Sequence, residues 1–371
     1  MSRLARVLMT ADAVGGVWTY ALDLAAELAA FRIETILMVM GPSPSAGQAR
    51  RATSTPGLAM IDTALALDWM ADEPARMGEA AAAVRELAAE SRADIVHLNS
   101  PSLAAGGGFR APVLGVCHSC LATWWMAVKD GPMPAHFRWR TQALWRGLLA
   151  CDALVAPTRS FAQSTARTYE IGAPLVVHNG RRRSTASRAA REPFIFTSGR
   201  LWDEGKNIAV LDAAAALASL PLFAAGSLQG PDGGDQVELR HARALGPLAE
   251  AEVNRWLARA PIYASSALYE PFGLGILEGA QAGCALVLAD IPSLRELWGG
   301  AAVFVDPRQP DGFARAFESL MADEAEVCRL GALARMRAGR FTVRAMGEGI
   351  LALYRRLRTD LSYSAHEEVV A

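Results

Sequence analysis

The hydrophobic positions of the chain alternate between short continuous runs and helical stripes. The run Val7-Leu8-Met9 predicts a strand, and the apolar side chains after it recur at helical spacing, at Val17, Tyr20, Ala21, Leu24 and Leu28. Further strands are predicted at 35–40, 58–61, 94–98, 113–117, 153–156 and 175–177, mostly separated by helical windows. This alternation predicts a doubly wound α/β domain with a mainly parallel sheet.

A stretch of turn formers and charge interrupts the alternation and then gives way to a second series. Asn179-Gly180 and the arginines after it predict a linker at 179–192. The second series predicts strands at 194–197, 222–225, 262–264, 285–289 and 302–305, helices at 207–219, 250–258 and 274–282, and a run of helices from 312 to about 359. We therefore expect two Rossmann-like domains, at 1–178 and 193–344, that face each other across a cleft, because open α/β sheets bind ligands outside the carboxyl ends of their strands.

Composition narrows the class of protein. The chain has 371 residues, about twice the usual size of a domain, and a hydrophobic content of 52%. Its most apolar stretch, 209–226, contains Asp212, Ser219 and Pro221, so spanning segments are not predicted. A net charge of −1 gives no overall attraction to nucleic acid, and any anionic ligand must be held by local cations.

The cysteines and the amino terminus favour a cytoplasmic protein. Five cysteines without framework spacing are typical of a reducing compartment. The start is too short and too quickly interrupted by Asp12 for a signal peptide. Cys117 and Cys120 form a C-x-x-C pair, but no second pair completes a zinc site, and no Asp-x-Asp pair suits a metal-bridged diphosphate. We therefore expect no metal ion and no cofactor.

The most informative stretch joins two glutamates eight positions apart. It reads Tyr269-Glu270-Pro271-Phe272-Gly273-Leu274-Gly275-Ile276-Leu277-Glu278. Pro271 biases Glu270 toward an extended conformation, and so keeps it in the loop before a helix that carries Glu278. Gly273 and Gly275 allow a bound phosphate to approach backbone N–H groups at the start of that helix. A loop carboxylate and a helix carboxylate can then flank one ligand.

Two cations follow the first strand of the second series. In Ser198-Gly199-Arg200-Leu201-Trp202-Asp203-Glu204-Gly205-Lys206-Asn207, Arg200 offers a planar fork and Lys206 a point charge. Both would lie near strand and helix ends, where a diphosphate could bind. The alternative is a surface turn in which these cations pair with Asp203 and Glu204.

The first series contains two weaker candidates. Gly15-Gly16 lies between the first strand and the first helix, where it serves either close approach of a ligand or a structural turn. It does not complete the G-x-G-x-x-G motif, which argues against a binding site for a nicotinamide cofactor. His118 ends a strand and is either a ligand contact or a hydrogen-bonded core group, and His97 and Asn99 raise the same question.

Taken together, these elements resemble a retaining glycosyltransferase of family 4, with the GT-B fold and its E-x7-E motif, over nearly the whole chain. The matching residues occur in the family's order and spacing: Ser198-Gly199-Arg200-Leu201, Lys206-Asn207, Tyr269 to Glu278, Gly283, the strand 286–290, Pro292 and Glu296. Two departures are His178, where proline more often precedes Asn-Gly, and Asn99, where many relatives carry another histidine. The resemblance also implies that the final helix, about 345–361, crosses back to the first domain.

The resemblance implies a role for each candidate residue. Glu270 would contact the donor sugar hydroxyls and Glu278 the nucleotide ribose, while Arg200 and Lys206 would hold the diphosphate. His118 matches the first-domain histidine near the donor sugar. The implied catalytic residues are Glu270, His118, Arg200 and Lys206, and the implied nucleotide-sugar contacts are Gly15, Gly16, Arg200, Lys206, Phe272, Gly273, Leu274, Gly275 and Glu278.

The implied activity is transfer of a hexose from a UDP- or GDP-sugar to an acceptor hydroxyl, with retention and without a metal. The acceptor is left open between a saccharide, a lipid-linked glycan and a small molecule. The aromatic and basic segment 124–146 is either a surface for weak peripheral membrane contact or solvated cations beside half-buried tryptophans. The alternatives are a GT-B sugar-nucleotide epimerase or phosphorylase, and a catalytically idle nucleotide-sugar binder.

Overall fold

The computed structural model describes residues 4–183, 189–231 and 233–370, and side chains as far as Thr359 at the carboxyl end. The chain divides into two compact units. The first contains Met1–Trp125, Asp130–Gly180 and Val343–Ala371, and the second contains Met126–Lys129 and Arg181–Thr342.

The first unit is built on a parallel sheet of seven strands in the order β3-β2-β1-β4-β5-β6-β7. The strands are β1 (Arg6–Asp12), β2 (Glu34–Met40), β3 (Leu58–Asp62), β4 (Ile95–Leu98), β5 (Val113–Val116), β6 (Ala153–Ala156) and β7 (Leu175–Val176). The helices that alternate with them are α1 (Gly16–Ala30), α2 (Ala46–Thr53), α3 (Pro74–Glu90), α4 (Leu121–Val128), α5 (Arg138–Ala150) and α6 (Arg159–Tyr169). The strand order reverses between β1 and β4, which creates a switch point of the doubly wound type.

The second unit repeats this plan with a parallel sheet of six strands in the order β10-β9-β8-β11-β12-β13. The strands are β8 (Ile195–Ser198), β9 (Leu222–Ala225), β10 (Arg243–Gly246), β11 (Ile262–Ser265), β12 (Ala285–Ala289) and β13 (Val303–Val305). The helices are α7 (Ile208–Leu217), α8 (Glu250–Arg259), α9 (Leu274–Ala282), α10 (Pro292–Trp298), α11 (Pro310–Met321) and α12 (Glu324–Ala338). Its switch point lies between β8 and β11.

The central strands of both sheets are buried on both faces, which explains their uninterrupted apolar runs. In β1, Val7 and Met9 belong to one hydrophobic cluster, while Leu8 between them belongs to another. In β8, Phe196 and Ile195 are divided between two clusters in the same way. Alternate side chains of a strand point to opposite faces, so each sheet packs against helices on both sides.

The last helix, α13 (Val343–Val370), belongs to the first unit. Its apolar side chains share a core cluster with side chains of α1, and they include Met346, Ile350, Tyr354 and Leu357. Tyr354 is fully buried, so a residue far along the chain contributes to the centre of the first unit.

The predicted two-domain α/β architecture with parallel sheets is confirmed, and every predicted strand overlaps a strand of the structure. The helix predicted at 207–219 begins one residue later, because Asn207 adopts a left-handed conformation at φ 54°. The strand β10 was not predicted. Its residues are largely exposed and follow no apolar run, since β10 forms one edge of its sheet.

The predicted linker at 179–192 is described in part, because residues 184–188 lie outside the described residues. From Arg181 onward, its described portion is closely tied to the second unit. The Arg181 side chain is buried, and Arg191 donates hydrogen bonds to the carbonyl oxygens of Leu257 (2.9 Å) and Ala282 (2.8 Å). The arginines at these two positions are therefore packing residues of the second unit.

Candidate functional site

The candidate residues of the second unit follow two neighbouring strands. The segment from Gly199 to Lys206 comes directly after β8, and the segment from Tyr269 to Gly273 lies between β11 and α9. Strands β8 and β11 pair in parallel at the switch point of their sheet. The structure therefore gathers these segments at the carboxyl ends of the strands, where ligands of open α/β sheets bind.

Lys206 and Glu270 form an ion pair across these two segments. The Nζ of Lys206 lies 2.5 Å from Oε2 of Glu270, and their side chains are 23% and 14% exposed. The structure thus joins two residues that are 64 positions apart in the chain. A fixed ammonium beside a fixed carboxylate can bind an anionic group and a hydroxyl group of one ligand.

Local hydrogen bonds hold both partners of this pair. Lys206 is the last residue of a short 3₁₀ turn. The Asp203 side chain caps this turn by accepting a hydrogen bond from the Gly205 N–H at 2.9 Å. The Tyr269 N–H donates to the Gly205 carbonyl at 3.1 Å, which ties the two loops together. The Ser293 hydroxyl donates to the Glu270 carbonyl at 2.6 Å. The ion pair is therefore held by the backbone on both sides.

Arg200 follows the alternative proposed for this turn. Its Nη2 lies 3.1 Å from Oδ2 of Asp203, and its guanidinium carbon lies 5.8 Å from the centre of the Trp202 ring. Its side chain is 37% exposed, more than that of Lys206. The surface-turn interpretation is thus correct for the Arg200–Asp203 contact, whereas the partner of Lys206 is Glu270.

Glu278 has a buried cationic partner that sequence reasoning missed. The Arg181 Nε lies 2.6 Å from Oε1 of Glu278, and the Arg181 Nη2 lies 2.7 Å from Oε1 of Glu250. Only 4% of the Arg181 side chain is exposed. Its position within a run of arginines suggested a solvated linker, and no local pattern distinguishes it from its neighbours. The pair fixes the carboxylate of Glu278 on α9.

The amino end of α9 is formed by glycine for two different reasons. Gly273 caps the helix at φ 88°, a left-handed conformation that favours glycine. A Cβ on Gly275 would lie 2.6 Å from the Tyr263 hydroxyl, so Gly275 lets the helix pack closely on β11. Among the described residues, no side chain caps this helix, and its first N–H groups have no intrahelical partner. Phe272, just before the cap, is buried in the core of the unit.

In the first unit, the Gly15-Gly16 loop is organised by Asp12 at the end of β1. The Asp12 carboxylate accepts hydrogen bonds from the N–H groups of Val14 (2.9 Å) and Gly15 (3.2 Å). Gly15 caps α1 in an extended conformation, and Gly16 is the first residue of the helix. The loop is therefore a defined turn that leads into a helix amino end at the switch point of the first sheet.

His118 lies in a hydrogen-bonded group at the carboxyl ends of β4 and β5. Its Nε2 lies 2.7 Å from Oδ1 of Asn99, which also lies 3.2 Å from Nε2 of His97. The Nδ1 of His97 lies 2.6 Å from the Tyr354 hydroxyl. Burial and the neighbouring His97 lower the pKa of His118 to about 3, and burial lowers the pKa of His97 to about 4. Both imidazoles are therefore neutral at neutral pH.

Tyr354→Phe is expected to lower the free energy of unfolding by about 1–3 kcal/mol, because it leaves the buried Nδ1 of His97 without its hydrogen-bond partner. Tyr20→Phe is the matched control. Tyr20 is 2% exposed and packs edge-on against His118, but its hydroxyl bonds to none of the described residues. Its removal is expected to change stability by less than about 0.5 kcal/mol. Chemical denaturation measures both values, and equal losses in the two variants would contradict this hydrogen-bond assignment.

Two family models match consecutive parts of the chain. Residues 14–182 match Glycosyltransferase Family 4, and residues 192–323 match Glycosyl transferases group 1. The chain belongs to glycosyltransferase family 4. The family predicted from the motifs is confirmed.

Two curated relatives of this glycosyltransferase match over a short region. They are the glycogen synthases of two strains of Mycobacterium tuberculosis, each 39% identical over 101 residues. Each match covers 27% of this chain and 24% of the relative, so the alignment spans about a quarter of the relative's length.

Solved structures match the glycosyltransferase over nearly its full length. Sucrose-phosphate synthase from Thermosynechococcus elongatus has a TM-score of 0.79 at 17% identity, covering 96% of this chain and 100% of that one. Anabaena HepE in complex with UDP-glucose has a TM-score of 0.71 at 16% identity, covering 95% and 99%. These similarities confirm the GT-B fold.

Among residues 4–183, 189–231 and 233–370, no group of three or more His, Cys, Asp or Glu side chains is arranged to hold a metal ion. In the same part of the chain, no helix combines the length and the apolar content that a membrane span requires.

Proposed function

We propose that this glycosyltransferase transfers a hexose from a UDP- or GDP-sugar to an acceptor hydroxyl, with retention of anomeric configuration and without a metal ion. The observation that carries the proposal is the Lys206–Glu270 pair at the carboxyl ends of β8 and β11. It combines, in one place, a cation for the diphosphate and a carboxylate for the sugar hydroxyls. HepE, a structural neighbour of the same fold, is solved with UDP-glucose, which supports a nucleotide sugar as donor.

The chemistry follows from the charges that change during transfer. The bond between the anomeric carbon and a diphosphate oxygen breaks, and the diphosphate gains negative charge. Lys206, Arg200 and the amino end of α9 can stabilise that charge. The acceptor oxygen then bonds to the anomeric carbon on the face that the diphosphate leaves, and its proton passes to a diphosphate oxygen. Glu270 positions the sugar and needs no covalent step.

The remaining residues complete the proposal. Glu278, oriented by Arg181, is assigned to the ribose hydroxyls. Phe272, Gly273, Leu274 and Gly275 are assigned to the diphosphate through the backbone at the start of α9. From the first unit, His118 is assigned to the donor sugar and Gly15-Gly16 to the diphosphate. A saccharide, lipid-linked or small-molecule acceptor, a weak peripheral membrane contact and a cytoplasmic location are likewise proposed.

A thermal-shift panel of UDP, GDP, ADP and their sugars tests the donor class. A ligand that binds only the folded state at 100 times its dissociation constant stabilises it by about 2.7 kcal/mol, so one nucleotide sugar is expected to raise the melting temperature clearly. NAD is the control and is expected to have no effect. The absence of a response to every nucleotide and sugar nucleotide would contradict the proposal.

The donor identified in this way then enters a transfer assay with EDTA present. We expect the sugar to move to an added acceptor at the same rate with and without the chelator. Loss of activity in EDTA that added divalent metal restores would contradict metal independence. Conversion of the donor without any acceptor would favour an epimerase over a transferase.

A further inference from the structure

A chain of hydrogen-bonded polar groups in the first unit includes His118, and the proposed function uses only that member of it. It runs from the backbone of Thr10 through Asn99 to His97 and His118, and from His97 to Tyr354. His97 and Tyr354 are completely buried. Five polar groups thus converge from β1, from β4 and its carboxyl end, from the end of β5 and from α13.

The direction of each hydrogen bond in this chain is set by a backbone carbonyl. The Asn99 Nδ2 lies 2.6 Å from the carbonyl oxygen of Thr10, which can only accept. The amide nitrogen of Asn99 therefore faces Thr10, and its Oδ1 faces the two histidines. Because Oδ1 can only accept, Nε2 of His97 and Nε2 of His118 must both carry a proton.

Because each neutral ring carries its proton on Nε2, the Nδ1 atom of each histidine is a hydrogen-bond acceptor. Burial lowers the pKa of both histidines far below neutrality, so each ring carries a single proton. The Nδ1 of His97 is satisfied by Tyr354, whose own pKa burial raises well above its usual range, so that its hydroxyl stays protonated and donates. The Nδ1 of His118 bonds to none of the described residues. Its ring is held edge-on against Tyr20, with centroids 4.6 Å apart.

We propose that Asn99 is a positioning residue that holds His118 in the Nε2-protonated tautomer, so that Nδ1 accepts a hydrogen bond from a hydroxyl of the donor sugar. That this hydroxyl belongs to a donor sugar rests on the proposed function, whereas the tautomer rests on the contacts of Thr10 and Asn99 and on the neutral state of the His118 ring. The opposite tautomer would present a donor at the same position and would reverse the hydrogen bond that the ring can make.

Nitrogen NMR of the full chain labelled on histidine tests the tautomer without any substrate. Protonated and unprotonated imidazole nitrogens resonate far apart, and loss of signals in His97→Gln and His118→Gln assigns the two rings among the six histidines. At pH 7 we expect both rings to be neutral with the proton on Nε2. A proton on Nδ1 of His118, or a charged His118, would overturn the proposal. In Asn99→Ala we expect the His118 signals to move toward a mixture of tautomers.

A panel of deoxy donors tests the positioning role in the reaction. In the wild type, the donor lacking the hydroxyl that bonds to Nδ1 is expected to lose about tenfold in kcat/KM relative to the full donor. In Asn99→Ala, that penalty is expected to shrink to less than about threefold, while the penalties for other deoxy donors stay unchanged. A variant that was only less well folded would lower kcat/KM for all donors by the same factor. Unchanged penalties in Asn99→Ala would refute the positioning role.

The two measurements fail in different ways. If the protein transfers no sugar but the NMR spectrum shows the Nε2 tautomer, the proposed function is wrong and the hydrogen-bonded chain stands. If transfer is observed and His118 carries its proton on Nδ1, the proposed function stands and this inference is wrong.

Discussion

Lys206→Met is expected to lower kcat for sugar transfer by about 10² to 10³, because the leaving diphosphate loses a fixed cation at the moment when its charge increases. Glu270→Gln is expected to lower kcat/KM for the donor, since an amide holds the sugar hydroxyls less well than a carboxylate. Steady-state kinetics with the donor found by thermal shift measures both. Activity within about tenfold of the wild type in both variants would contradict the site assignment.

The ion pair allows catalytic and structural losses to be separated. The two side chains are mostly buried, so each single variant leaves one charge without its partner and is expected to cost about 1–3 kcal/mol of stability. The double variant Lys206→Met/Glu270→Gln leaves neither charge unpaired and is expected to recover most of that loss. Its activity is expected to stay at or below that of Lys206→Met. Recovery of activity together with stability would show that the pair is only structural.

A matched control removes an exposed ion pair from the same unit. Arg329 and Glu326 pair at 2.6 Å on α12, with side chains 58% and 35% exposed. Exposed pairs contribute about 0–1 kcal/mol, so Arg329→Met is expected to change neither stability nor activity appreciably. A loss of activity there similar to that of Lys206→Met would point to a general charge effect rather than to the donor site.

Gly226→Ala is expected to cost about 3 kcal/mol of stability or more and to reduce donor binding. Gly226 follows β9 at φ 144°, and a Cβ at this position would overlap the carbonyl oxygen of Gly199. The atom that the new Cβ would meet belongs to the backbone, so the overlap cannot be relieved by moving a side chain. Gly199 precedes Arg200, and its N–H donates to the carbonyl of Ala225 at 3.0 Å. Displacement of this loop would move Arg200 with it.

Gly78→Ala provides the matched control for the glycine substitution. Gly78 is an exposed residue within α3, and a Cβ there would meet no atom within 4 Å. Because alanine favours the helix, this variant is expected to gain about 0.5–1 kcal/mol. Chemical denaturation compares the two variants with the wild type. A change of less than about 0.5 kcal/mol in Gly226→Ala would contradict the close approach of the two loops.

The fold could be predicted from the sequence because the central strands of both sheets are buried on both faces. Runs such as Leu286-Val287-Leu288 and Val7-Leu8-Met9 are continuous and apolar for that reason, and turn formers separate them from the helices. The edge strand β10 escaped prediction, since Arg243-Ala244-Leu245-Gly246 is half-exposed and has no such run.

The sequence identifies the candidate-site residues that lie in loops after strands. It does not predict which of them contact residues that are distant in the chain. Lys206 and Glu270 were both singled out, but their direct pairing depends on the neighbouring positions of β8 and β11. Arg181 reaches Glu278 across 97 positions, and Tyr354 reaches His97 across 257. No local pattern encodes such contacts, because they arise from the packing of elements that the chain joins only on folding.

The configuration of the first product tests the proposed reaction most directly. The glycosyltransferase is incubated with the α-linked sugar nucleotide that raises its melting temperature and with a panel of saccharide and lipid acceptors, and the new anomeric centre is read by proton NMR while donor remains in excess. We expect an α-linked product, from attack on the face that the diphosphate leaves. A β-linked product would contradict retention and the role assigned to the diphosphate as the group that takes up the acceptor proton.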